Sequence, residues 1–100
     1  MWQNSNELFN YTLRELKKAV KNGESELDIV LEEKCPRDDN KMNEICERLK
    51  IKAITEQLRN KFCNYDIKSD VHYSNVLFIT YKTGCDFGAT IEWTLTISPK

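Results

Sequence analysis

The segment Ala89-Thr90-Ile91-Glu92-Trp93-Thr94-Leu95-Thr96-Ile97 alternates apolar and polar side chains without a break. A period of two over nine residues fits a strand with one face buried and the other wet, and nothing else in the regular repertoire. A chain with such a segment must build a sheet that has an apolar side, and that side must be covered.

The first part of the chain supplies a cover. Leu8, Phe9, Leu13, Leu16, Ala19 and Val20 recur at helical spacing, with Arg14, Glu15, Lys17, Lys18 and Lys21 turned outward. Asn4 and Glu7 form a capping-box pattern, and Asn22-Gly23 supplies a left-handed stop, so a helix is expected over 4–22. After Gly23 the period switches to two, with Leu27, Ile29 and Leu31 on one side, and predicts a first strand over 26–33. The polar run Lys34-Cys35-Pro36-Arg37-Asp38-Asp39-Asn40 reads as a mobile loop ending in a helix cap.

Residues 41–62 contain neither Gly nor Pro and read as helical, but the apolar stripe changes phase. Met42, Ile45, Cys46, Leu49 and Ala53 share one side; Ile51, Ile54, Leu58 and Phe62 share the opposite one. Lys, Ile and Ala at the switch all continue helices, so one continuous or gently kinked helix is expected, with a break at Lys50-Ile51-Lys52 as the alternative. Beyond it, Tyr65 to Tyr73, the doubly apolar run 76–81 and the alternating run 89–97 predict a second, third and fourth strand. Turns are expected at Ser74-Asn75 and Gly84-Cys85-Asp86-Phe87-Gly88, making a meander with 76–81 at its centre. The expectation is one α+β domain over residues 1–100. It is a two-layer sandwich in the order α-β-α-β-β-β, with two helices on one face of a mainly antiparallel four-stranded sheet. Its expected core is Leu13, Leu16, Val20, Leu27, Ile29, Leu31, Leu49, Leu58, Phe62, Phe78, Ile91, Trp93 and Leu95.

Charge and cysteine usage narrow the function. Fifteen basic against sixteen acidic residues leave neither the broad basic field of a general nucleic-acid binder nor the acidity of a nucleic-acid mimic. The N-terminal residues lack a basic segment and an apolar run, and the longest apolar stretch is far too short to span a bilayer, so a cytoplasmic protein is expected. There Cys35, Cys46, Cys63 and Cys85 are free thiols. They fall 11, 17 and 22 residues apart, with no Cys-x-x-Cys pair, and Cys46 and Cys63 would be separated by about 25 Å along a continuous helix. Neither a metal nor a cofactor is expected. His72 with Asp70 two residues away on the same strand face is the one arrangement that suits proton transfer. It lacks a nucleophile elbow, a phosphate loop or a second His, so no enzyme is expected.

The charges are unevenly spread. Residues 1–62 hold twelve basic and twelve acidic side chains, whereas 63–100 hold three and four. The strand-rich part is therefore charge-poor, and a sheet with apolar residues on both faces needs its second face covered: by the Met1-Trp2 segment, the 34–40 loop or curl of the sheet, or by a second copy or a foreign protein. The expected function is a small non-enzymatic protein-binding module, encoded by a phage or mobile element and acting as a homodimer. Its contacts would be Tyr65, Tyr73, Tyr81 and Phe87, since Tyr is enriched where surfaces meet. Two alternatives stand beside it. If the chain breaks at 50–52, the order helix, strand, helix, helix, strand, strand is that of a winged-helix nucleic-acid binder, although the two residues between Ile51 and Ile54 leave little room for its turn. The other is a small enzyme built on His72.

Overall fold

The computed structural model describes the backbone of residues 2–35, 39–80 and 84–100, and their side chains except at 34, 35, 39, 75–80 and 84–89. Helix α1 (Ser5–Lys21) is fixed at both ends by its own sequence. The Asn4 side chain accepts from the Glu7 backbone N–H at 2.9 Å, while the Glu7 carboxylate reaches one residue further back than a capping box would, to the Gln3 N–H at 3.2 Å. At the other end Gly23 takes φ +73, and the N–H groups of Gly23 and Glu24 donate back to the Val20 and Ala19 carbonyls at 3.2 and 2.8 Å. That double closure requires a left-handed residue, which Gly adopts at no steric cost.

Strand β1 (Glu26–Cys35) follows, then helix α2 (Asp39–Leu49), helix α3 (Ile51–Lys61), strand β2 (Tyr65–Thr80) and strand β3 (Gly84–Pro99). The expected single helix over 41–62 is therefore two helices. The joint is Lys50, a non-glycine residue at φ 55, ψ 47. The phase change in the apolar stripe is the cause. In a straight helix Leu49 and Ile51 cannot face one core, whereas the break buries Ile45, Leu49, Ile51, Ile54 and Leu58 together. A left-handed non-Gly residue costs about 1–2 kcal/mol. Burying each of Ile51, Ile54 and Leu58 contributes about 1.5–3 kcal/mol, so burial wins.

Among the described residues the sheet has three antiparallel strands in the order β1-β3-β2, not four. Ser74 and Asn75 do not turn the chain; they pair with Thr90 and Ala89 inside one sixteen-residue strand. A two-residue hairpin needs positive φ at its centre, and this pair has no Gly to provide it. Residues 84–88, expected as a turn, pair with 76–80 instead, so β2 and β3 form one long hairpin in continuous register from Tyr65↔Pro99 to Thr80↔Gly84. The central strand is β3, the segment with the strict alternation, rather than 76–81.

Alternation then sorts the side chains. Ile29 and Leu31 of β1, Ile67 of β2, and Ile91, Trp93, Leu95 and Ile97 of β3 are buried beneath the helices with Leu8, Leu16, Ala19 and the α2–α3 residues named above. Of the expected core, Leu16, Ile29, Leu31, Leu49, Leu58, Ile91, Trp93 and Leu95 are buried. Leu13, Val20, Leu27 and Phe62 are half-buried against the core, and the Phe78 side chain lies outside the described ones. The Trp93 indole N–H, at zero exposure, donates to the Ser69 hydroxyl at 2.7 Å. Pairing between β1 and β3 ends at Cys35↔Ala89, so residues 76–80 and 84–88 continue as a two-stranded ribbon. It draws the molecule out to 50 × 26 × 20 Å.

Candidate functional site

The structure divides the expected contact residues. Tyr65 and Tyr73 lie on the helix-facing side of β2, eight residues apart, and both are half-buried against the core. Tyr81 and the Phe87 side chain lie outside the described residues; the Phe87 backbone pairs with Leu77 in the ribbon.

Across the three-stranded part the opposite face of the sheet is mostly polar, interrupted by the exposed Val30 of β1, while the side chains of 76–81, from which a second apolar face was expected, lie outside the described ones. Glu26 and Asp28 of β1, Asp66 and Asp70 of β2 and Glu92 of β3 occupy the polar face together with Lys68, His72, Thr94 and Thr96. The charge-poor tally of 63–100 concealed this because two of the five carboxylates come from β1, far earlier in the chain. At the ribbon end of this face Thr90 is buried, as are the Ser74 hydroxyl oxygen and His72 Nδ1. Trp2 packs elsewhere: the indole lies against Tyr11 of α1, with ring centroids 4.9 Å apart, and its N–H donates to the Val30 carbonyl at 2.8 Å. Arg48 holds this segment by donating to the Trp2 carbonyl at 3.0 Å. The β2 edge is capped in the same manner, since Arg59 Nε donates to the Ile67 carbonyl at 2.9 Å while its Nη1 sits 3.2 Å from Glu56. Unpaired edge groups invite intermolecular pairing. The side chains that cap them, Trp2 and Arg59, carried no sequence signal for the role.

His72 stands on the polar face, between Asp70, 3.2 Å from Nδ1, and its cross-strand partner Glu92, 3.6 Å from Nε2. The Asp70 contact is not aligned as a hydrogen bond, so the buried Nδ1 has no hydrogen-bond partner among the described residues. Cys46 belongs to the helix layer on the other side of the sheet, and Cys63 is exposed beyond the end of α3. The side chains of Cys35 and Cys85 lie outside the described ones. Cys46 opens onto a groove of about 470 Å³ at the α2–α3 joint, lined by Glu47, Lys50, Lys52, Ala53 and Glu56. Burial pushes its thiol above the ordinary value, so at neutral pH it stays protonated and is a poor nucleophile. Among the described residues no three His, Cys, Asp or Glu side chains are grouped to hold a metal ion, and no helix is long and apolar enough to cross a membrane.

What the fold defines is thus a three-helix layer on a three-stranded sheet, with an acidic outer face and a projecting ribbon. No family model matches the chain, and neither a curated protein nor a solved structure is found similar to it.

Proposed function

We propose that this chain is a small non-enzymatic protein-binding module that works through the far end of its hairpin. The observation that carries the reading is the mismatch in strand length: β2 and β3 pair for five residues past the last β1 partner. Two-stranded ribbons are marginal in water and need a further strand or layer. Across 75–80 and 84–89 the sequence offers one charge, Asp86, among Val76, Leu77, Phe78, Ile79 and Phe87. A surface of that composition is satisfied by another protein chain, and a second copy does so most simply, giving a homodimer. The half-buried Tyr73 stands at the near end of this surface, and Tyr81 and Phe87 belong to it by sequence position. A compact, cytoplasmic, phage- or mobile-element-encoded accessory protein fits this reading.

The test removes the ribbon and keeps the core. Residues 77–87 are replaced by Asn-Gly, a two-residue turn that joins the paired Val76 and Gly88. The wild type is expected to sediment as a dimer in about 1 M salt, where charge contacts are screened, and the shortened protein as a folded monomer. A wild type that stays monomeric at high concentration and captures no partner would sink the proposal, as would a shortened protein that associates like the wild type.

One observation favours a second reading. The order α1-β1-α2-α3-β2-β3, with the break at Lys50, is that of a winged helix, in which α3 would enter a groove of DNA and the hairpin would be the wing. Against it, the joint is a single residue, and Glu56 lies on the exposed side of α3. Retention on DNA that weakens steeply with salt and is lost in Lys52→Glu would support it.

A further inference from the structure

The two broad sides of the molecule carry opposite charge. Helices α1, α2 and α3 with Lys50 hold ten basic and six acidic side chains, the excess lying on α1 and α3, which carry seven basic and three acidic ones. The outer sheet face holds five carboxylates against Lys68 and His72. Folding creates the separation, because the near-neutral total is the sum of a positive helix layer and a negative sheet face.

Each side is only partly neutralised from within: Glu15 sits by Arg14 and Lys18 and Glu56 by Arg59 on the helices, and Asp70 and Glu92 flank His72 on the sheet. Lys17, Lys21, Lys52 and Lys61 are exposed, and among the described residues none has a carboxylate within ion-pair distance. On the sheet, among the described residues, no cation lies within ion-pair distance of Glu26 or Asp66, and the Asp28 carboxylate accepts from the Thr94 hydroxyl at 2.7 Å.

From this complementarity we propose that the acidic outer sheet face is a docking surface for the basic helix layer of a second copy of this chain. The contact joins two different surfaces, so each added copy leaves one basic and one acidic side open. Such head-to-tail contacts do not close into a pair; they continue as a stack. Lys68, seated among the carboxylates, would meet the acidic Glu56 or Glu15 of the helix layer, so the minority charges also have a place. A nucleic acid would satisfy the helix layer alone and leave the acidic face unexplained; a second copy satisfies both. The stack goes beyond the ribbon reading and stands on different residues.

The experiment separates the two by salt and by charge reversal in the full chain. Sedimentation velocity is run at about 10 mM salt, where the Debye length is about 30 Å, and at about 1 M, where it is about 3 Å. Three samples are compared with the wild type: Asp66→Lys with Asp70→Lys, Lys17→Glu with Lys21→Glu, and a 1:1 mixture of the two. Circular dichroism checks that each exposed double variant is folded. The wild type is expected to form species larger than its high-salt form at low salt. Each double variant alone should lose that growth, and the mixture should regain it, because each reversed face then meets a reversed partner. Growth that the reversals leave unchanged, absence of growth at low salt, or a mixture that fails to recover would each overturn the proposal. Low-salt retention on DNA that only the lysine reversals abolish, without self-association, would assign the helix layer to nucleic acid and overturn it too. Ribbon-mediated dimers persist at high salt, so either reading can fail without the other.

Discussion

Replacing Lys50 tests the joint between α2 and α3 more directly than any deletion. At φ 55 and ψ 47 the residue sits where a side chain costs about 1–2 kcal/mol. Lys50→Gly removes that strain but adds about 0.5–1 kcal/mol of chain entropy in the unfolded state, leaving a net gain of about 0.5–1 kcal/mol. Lys50→Val moves in the other direction: a β-branched residue at positive φ is a genuine outlier, and a loss of about 1–2 kcal/mol is expected. Lys50 is exposed and makes no side-chain cap bond, so little else changes with it. For a domain of this size each kcal/mol moves Tm by about 4–8 °C. Thermal melts followed by circular dichroism should therefore place the Gly variant about 2–8 °C above the wild type and the Val variant at least about 4 °C below it. The reverse order, Gly destabilising and Val neutral, is what a continuous helix would produce, since Gly is about 1 kcal/mol worse than Ala inside one. That result would refute the account of the break.

Other substitutions probe the core and the thiols. Thr12 is fully buried in α1 and its hydroxyl has no partner among the described residues, so Thr12→Val should raise stability by about 1 kcal/mol in a urea melt, while Thr12→Ser should not. Ser69→Ala takes the acceptor from the buried Trp93 indole and should cost about 1 kcal/mol, with a shift in tryptophan fluorescence that Ser69→Thr avoids. Iodoacetamide should modify exposed Cys63 well before Cys46, which burial holds protonated. The same shift sets a sign for stability: a thiol raised in the folded state contributes below its unfolded pKa and loses that contribution as pH rises through the folded value. Cys46→Ala should therefore flatten the alkaline arm of the stability profile, and an unchanged arm would show that the thiol is not coupled to folding.

Much of the fold was legible because local period and chain stops are properties of neighbouring residues. Asn4, Glu7 and Gly23 placed α1 to within one residue at each end, and the alternation of Leu27, Ile29 and Leu31 placed β1. The phase change between Leu49 and Ile51 was equally visible, yet its outcome was not. Whether a helix bends or breaks depends on whether both stripes meet one core, and the break follows from packing against α1 and the sheet. Ser74-Asn75 failed as a turn because turn propensity is weak beside sixteen pairs of continuous ladder. Tyr65 and Tyr73 were picked by residue type, and their position over the core was not readable without the register.

The sequence by itself determined where α1 and β1 lie, where α1 stops, and which sides of α1, β1 and the 89–97 segment are apolar. These are encoded within a few residues, where backbone sterics and side-chain period act. Tertiary structure alone decided that three strands, not four, form the sheet, that β3 is its centre, and that the ribbon outruns β1. It also decided the charge map. Glu26 and Asp28 join Asp66, Asp70 and Glu92 only because β1 pairs with β3 across some sixty residues of chain. Local pattern carries no information about which strand becomes a neighbour, and electrostatic energy depends on distance in space. The acidic face therefore exists only in the folded molecule.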